Sequence, residues 1–356
     1  MKKLCFSIAT VVLFLSACSK SNNTGGTTVT PPIVAPDTTL QITLPFPIGA
    51  SVSISLLQNN TKYSNLAKKE YNSLTAENAM KFAGLHPSQN TYTWTDADYF
   101  VNFAQANNKR IHGHTLLWHQ SLPSWVTNFV GDSTAWENLM KAHIQTVVAH
   151  FKGKVASWDV VNEAFEDNGS LRNSIWRQKL GNDYVARCFQ YAYQADTSVL
   201  LFYNDYGHEY SSTKRAAIIN MLNTFKSRGV PVHGIGLQFH TNYTQSDANI
   251  AAAITAAAGT GLKVHISELD VALNAGNNPA LTLTASLAEQ QATKYKFIFK
   301  IYNAIPAAQK FGITTWNIGD ADSWIPRQYN RPDWPLPFDG NYLRKPAYYG
   351  ILDGIK

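Results

Sequence analysis

Cysteine is almost missing from this chain. Three occur in 356 residues, at positions 5, 18 and 188. The first two fall in the N-terminal leader described below, so Cys188 alone stays with the folded part and no intramolecular disulfide is expected there. Stability has to come from the core. Cys188 itself sits in a helical stretch, Tyr184-Val185-Ala186-Arg187-Cys188-Phe189, and reads as a small buried apolar residue rather than a nucleophile. Charge is also sparse: 15% of residues are Asp, Glu, Lys or Arg against 45% hydrophobic. That balance excludes a disordered chain and supplies enough apolar material for a large core. No block of Lys or Arg interleaves with aromatics, so the mild net charge of +6 excludes a nucleic-acid surface. No apolar run is long enough to span a bilayer as a mature helix.

What is present begins with the leader. Lys2 and Lys3 precede an apolar run from Ile8 to Leu15, the length of the hydrophobic part of a secretory signal. The run ends in Leu15-Ser16-Ala17-Cys18, which resembles the bacterial lipobox. That resemblance implies cleavage after residue 17, acylation of Cys18, and export to the cell envelope with membrane attachment only through this lipid. Without Lys2 and Lys3 the net charge falls to +4. From Ser19 to Thr39 the sequence is rich in Ser, Thr, Asn, Gly and Pro and cannot repay its ordering entropy, so residues 18–43 are expected to be a tether. Folding is expected to start near Leu44 and to run to residue 356 as one domain.

Beyond Pro47, short β-rich apolar runs recur between stretches of helical periodicity. Strands are expected near Ile48–Ser51, Ser73–Glu77, Arg110–Trp118, Ser157–Glu163, Leu200–Asp205, Gly234–His240, Lys263–Asp270 and Gly312–Ile318. Between them, Trp136, Leu139, Met140, His143, Ile144, Val147, Val148 and Phe151 form a helix stripe that stops at Gly153. Tyr295, Phe299 and Tyr302 form another. Eight strands alternating with helices, with no glycine-rich phosphate loop opening any helix, predict an α/β fold: a closed (β/α)8 TIM barrel. Polar and aromatic residues cluster where these strands end, on the rim that carries the chemistry in such barrels. Burying so many polar groups at one face without partners costs on the order of 1–3 kcal/mol each, so a binding or catalytic cleft is the economical explanation.

Two strand ends carry glutamates, in Trp158-Asp159-Val160-Val161-Asn162-Glu163 and in Val264-His265-Ile266-Ser267-Glu268. Facing each other across a barrel mouth, they supply the proton donor and the carboxylate that acetal hydrolysis needs. The surrounding motifs are dense: Asn72-Ser73-Leu74-Thr75-Ala76-Glu77-Asn78-Ala79-Met80-Lys81, Gly113-His114-Thr115-Leu116-Leu117-Trp118-His119, Leu201-Phe202-Tyr203-Asn204-Asp205-Tyr206, Gly234-Ile235-Gly236-Leu237-Gln238 and Thr315-Trp316. In this order they resemble glycoside hydrolase family 10, chiefly endo-β-1,4-xylanases, from about Leu44 onward.

That resemblance implies a retaining double displacement in which Glu163 is acid/base and Glu268 nucleophile. Glu163 then has to carry a proton while Glu268 is ionised, and His240 is expected to hydrogen-bond Glu268 and hold its charge. The resemblance assigns Glu77, Asn78, Lys81, His114, Trp118, Asn162 and Gln238 to the sugars beside the cut, with Asn162 on the 2-hydroxyl. It makes Trp316 and Trp324 an aromatic wall and Tyr206 a stacking ring on the leaving side. The chain departs from the family at Phe239, where a small residue is usual, and at Ala76 and Ala79, which replace proline and glutamate. Phe239 is expected to point away from the cleft, and the loop from Pro326 to Pro337 to reshape its leaving side.

Xylan and xylo-oligosaccharides are therefore the expected partners of a monomer that needs no cofactor and no metal. A β-1,4-glucanase on the same scaffold is the nearest alternative, since nothing in the sequence decides whether a C6 hydroxymethyl group fits. His112-Gly113-His114 raises a metal-dependent barrel hydrolase, but further ligands at suitable strand ends are not evident. A carbohydrate-binding protein without turnover is expected to have lost one glutamate, and both are present.

Overall fold

The computed structural model describes residues 38–356; the leader, Cys18 and most of the expected tether lie outside the described residues. The strands are β1 (Ile48–Val52), β2 (Ser73–Ala76), β3 (Arg110–Leu117), β4 (Ser157–Asn162), β5 (Leu200–Asp205), β6 (Gly234–Leu237), β7 (His240–Asn242), β8 (Lys263–Ala272) and β9 (Lys310–Thr315). All pairings among them are parallel. The order β6-β5-β4-β3-β2-β1-β9-β8 closes on itself because β6 also pairs with β8. This is the eight-stranded barrel that the spacing predicts. β7 lies outside the ring, paired only with the far end of β8 through His240↔Asp270 and its neighbours.

Two strand boundaries differ from expectation. The sixth strand was expected to run unbroken to His240, but it stops at Leu237, and Phe239 adopts φ 60 before β7 begins. The last strand starts two residues early, at Lys310, and ends at Thr315, so Trp316 lies beyond it. Upstream, a short helix covers Leu40–Thr43, and Leu40 is fully buried. The folded body thus reaches further toward the N-terminus than Leu44.

Helices pack around the ring with their apolar stripes inward. The helix Ser133–His150 starts where the Asp132 carboxylate accepts a hydrogen bond from the Ala135 amide at 2.8 Å. It buries Trp136, Met140, His143, Ile144, Val147 and Val148, and Gly153 with φ 74 turns the chain toward β4. Cys188 packs against Met140, 3.4 Å between sulfurs, and burial pushes its thiol well above the usual range. The lower interior of the barrel is filled by rings. Phe202, His265 and Phe311 sit 4.5–6.1 Å apart between centroids, and the Arg110 guanidinium lies 3.8 Å from the Phe311 ring. With the lower barrel plugged, space for a ligand opens at the ends where the strands leave it.

Candidate active site

A cavity of about 550 Å³ opens at the C-terminal ends of the strands. Every expected site residue among those described lines it except Asn78. Asn78 is exposed at the rim and accepts a hydrogen bond from Lys81 Nζ at 3.1 Å. Its place is beside the lysine, not on the cavity wall.

Glu163 follows the last residue of β4 and adopts φ 57, a left-handed backbone that costs a non-glycine residue on the order of 1–3 kcal/mol. Neighbours fix this turn. The Glu163 amide donates to the Asn204 carbonyl at 2.9 Å, Arg172 Nε donates to the Glu163 carbonyl at 3.0 Å, and the Tyr203 hydroxyl accepts from the Ala164 amide at 2.9 Å. The carboxyl is thereby swung out of the strand into the cavity. Three neutral donors meet it there: the Trp118 indole N–H at 2.9 Å on Oε2, and Gln238 Nε2 at 2.9 Å and Asn162 Nδ2 at 3.3 Å on Oε1. His119 Nδ1 lies 4.0 Å from Oε2, and burial together with Arg172 lowers that imidazole to about 4, leaving it uncharged at neutral pH.

Glu268 lies within β8 and is 5% exposed. Asn204 Nδ2 donates to its Oε1 at 2.7 Å, and His240 Nε2 lies 3.2 Å from its Oε2. The other imidazole nitrogen, Nδ1, is 2.8 Å from Asp270 Oδ2. Burial opposes charge on His240, but the two carboxylates, Asp270 first, outweigh it and raise its pKa well above the usual value. It is an imidazolium. Burial likewise raises Glu268, yet the bond from His240 and the charges of His114 and His240 prevail and lower its pKa below the ordinary range. The break after Leu237 explains this placement, because β7 brings His240 opposite Asp270.

A chain of amides joins the two glutamates. Asn162 Oδ1 accepts from Asn204 Nδ2 at 2.9 Å and from Gln238 Nε2 at 3.2 Å. Its Nδ2 is therefore the face left toward Glu163 and the cavity. Lys81 Nζ sits 5.2 Å from the Trp118 ring and 5.8 Å from the Trp316 ring. Burial lowers its pKa, and Glu268, Glu77 and Glu163 offset this only in part. Trp316 stands edge-on to His114, 5.3 Å between centroids. Trp324 packs 4.8 Å from His240 and donates its indole N–H to Asp270 at 2.9 Å. The Tyr206 hydroxyl accepts from Arg172 Nη2 at 3.0 Å, and its ring covers Lys214 Nζ at 3.1 Å. Phe239 is fully buried and does not line the cavity.

The histidine pair His112 and His114 converges on one carboxylate oxygen, Asp159 Oδ2, at 3.0 and 2.9 Å. Burial alone raises Asp159, but the two imidazoles hold it well below the usual carboxylate range. Among the described residues, no group of three or more His, Cys, Asp or Glu is arranged to hold a metal ion.

Sequence reasoning missed Asn204 and Asp270 as the partners of Glu268 and His240, although Asp270 stands two residues after Glu268 and so shares its face of the strand. Arg172, His119, Gln120, Tyr210, Gln328 and Tyr329 also line the cavity. Gln328 and Tyr329 come from the short helix Trp324–Tyr329, and the others from loops, where no periodicity marks them.

The model of glycosyl hydrolase family 10 matches residues 40–354. Exoglucanase XynX of Acetivibrio thermocellus is 39% identical over 327 residues, covering 87% of this chain and 29% of that protein. Endo-1,4-beta-xylanase A of Thermoanaerobacterium saccharolyticum is 38% identical, with 87% of this chain and 27% of that protein covered. The chain thus spans less than a third of the length of these two relatives. The native xylanase 10B structure from Thermotoga maritima superposes with a TM-score of 0.83 at 35% identity, covering 89% of this chain and 98% of that one.

Proposed function

This chain belongs to glycosyl hydrolase family 10, and from that membership we propose that it is a retaining endo-β-1,4-xylanase acting on internal bonds of xylan. The observation that carries the reading is the contrast between two carboxyls in one cavity. Glu163 is held by neutral donors, and Glu268 by an imidazolium.

In the first step Glu163 gives its proton to the leaving glycosidic oxygen while the ionised Glu268 attacks the anomeric carbon. The C–O bond to the leaving sugar breaks as the bond to Glu268 forms. Glycosylation removes the negative charge of Glu268. The ionised Glu163 then takes a proton from water, whose oxygen displaces Glu268 from the same carbon, and the two inversions together give net retention. Asn162 Nδ2 donates to the 2-hydroxyl of the glycone sugar, a contact that tightens as the oxocarbenium-like state forms. Glu77, Lys81, His114 and Gln238 hold that sugar and its neighbour, with Asn78 placing Lys81. Trp316 and Trp324 wall the ring, Trp118 orients Glu163, and Tyr206 stacks on the leaving side.

The test is a pair of variants. Glu268→Ala is expected to abolish xylan hydrolysis and to recover turnover with azide, giving a product of inverted configuration. Glu163→Ala is expected to keep turnover only for substrates with very good leaving groups. Unchanged xylan hydrolysis in either variant sinks the assignment. Exoglucanase XynX, among the relatives, supports a second reading, action on β-1,4-glucan, and rates on xylan against carboxymethylcellulose decide between them. We further infer export and lipid attachment at Cys18, on the lipobox-like Leu15-Ser16-Ala17-Cys18. The mass of membrane-extracted protein tests this, since an unmodified thiol at residue 18 excludes the anchor.

A further inference from the structure

Tyr329 ends the short helix Trp324–Tyr329 and lines the same cavity, yet 51% of its surface is exposed. A large aromatic ring left half-open inside a cleft has forgone packing that the protein elsewhere supplies, which marks it as a surface for something else. Its position is fixed from behind. The Arg331 guanidinium lies 4.8 Å from the Tyr329 centroid. Arg331 is anchored by Asp333 at 3.2 Å and by Asn277. Asp333 in turn accepts from the Leu273 and Trp334 amides at 2.7 and 2.9 Å. Asn330, with φ 48, ends the helix immediately after the ring. The Trp324 ring is 5.8 Å from Tyr329 and 4.8 Å from His240. Tyr329 thus neighbours Trp324, which in turn neighbours the His240 that bonds Glu268.

We propose that Tyr329 is a sugar-binding platform for an outer unit of a β-1,4-linked pyranose chain. The C–H face of such a sugar is apolar and fits a flat ring with one open side, while its hydroxyls need amide partners at the edge. Gln328, which also lines the cavity, supplies such an amide. This inference rests on the polysaccharide hydrolase reading. It names a residue that meets the chain away from the bond that breaks, so its effect depends on chain length.

The experiment compares wild type, Tyr329→Phe and Tyr329→Ala on xylotriose and xylohexaose. Tyr329→Ala is expected to lower kcat/KM on xylohexaose by about three- to tenfold, mainly through KM, and to change xylotriose by less than about twofold. Tyr329→Phe keeps the ring and should stay within about twofold of wild type on both. Calorimetric binding of xylohexaose in a Glu163→Ala background gives a readout without turnover, and there Tyr329→Ala should weaken binding by the same factor. Equal losses on both substrates, or unchanged xylohexaose binding while wild type turns xylan over, overturn the platform alone. A wild type that neither binds nor cuts any xylo-oligosaccharide overturns the hydrolase reading and the platform with it.

Discussion

His240 holds two carboxylates on opposite edges of one ring, 3.2 Å from Glu268 and 2.8 Å from Asp270. This arrangement makes Glu268 ionised in a place where burial alone would keep it protonated. His240→Asn removes the positive charge and leaves burial less opposed, so the pKa of Glu268 rises. The acidic limb of kcat/KM, which reports ionisation in the free enzyme, should then move to higher pH. An unmoved limb with a merely smaller kcat would show that His240 acts through shape and not charge. The elevated pKa of His240 has the opposite sign of effect on stability. Its contribution is fully present below about 6.5 and is lost as pH rises through the folded-state value. Thermal unfolding followed from pH 6 upward should accordingly fall less steeply in His240→Asn than in wild type.

Strands bring these side chains together, and their tight contacts are open to test. Gly113 in β3 lies under the Trp158 ring of β4, where an added Cβ would meet ring carbons at 2.3–2.6 Å. Gly113→Ala should therefore cost about 1–3 kcal/mol or more through overpacking, seen as a lowered Tm. A Tm within a degree of wild type would mean that the two strands separate freely. This strand order was readable from sequence because β-rich runs recur between helical stripes, and Glu163 follows directly from where one of those runs ends, whereas His114, inside β3, and Gln238 were assigned by the family resemblance. The break between β6 and β7 was not readable. It depends on Phe239 at φ 60, and a phenylalanine carries no sign of left-handed backbone as a glycine would. Arg172 and Tyr210 were hidden for a related reason: they reach the cavity from loops, whose path is set by tertiary contacts, while Tyr329 sits at the end of a helix too short to show a periodicity. Asn78 was assigned to the sugars beside the cut by the family resemblance; its side chain accepts from Lys81 and does not line the cavity.

At the scale of the whole molecule, the ring is shut by its two ends. β1 pairs with β9 through Ile48↔Ile313, and the Ser51 hydroxyl accepts from the Asn317 amide, 266 positions away. Below this seam, buried Glu70 accepts from the Leu40 amide at 3.0 Å, from Arg344 Nη2 at 2.8 Å and from the Tyr348 hydroxyl at 3.1 Å. Arg344 also donates to the Thr38 carbonyl at 2.7 Å. A chain beginning at Leu44 loses the burial of Leu40 and one donor to a buried carboxylate. It should be less stable than a chain beginning at Thr38 by about 2–5 kcal/mol, measured by denaturant unfolding. Equal midpoints would show that the helix Leu40–Thr43 adds nothing.

The same seam governs when the protein can become itself. Until translation has delivered β9 and the helix Pro346–Asp353, β1 has only one neighbour and its other edge stays open. Most of the chain must wait on the ribosome without its final architecture, exposed to mispairing and dependent on whatever shields it.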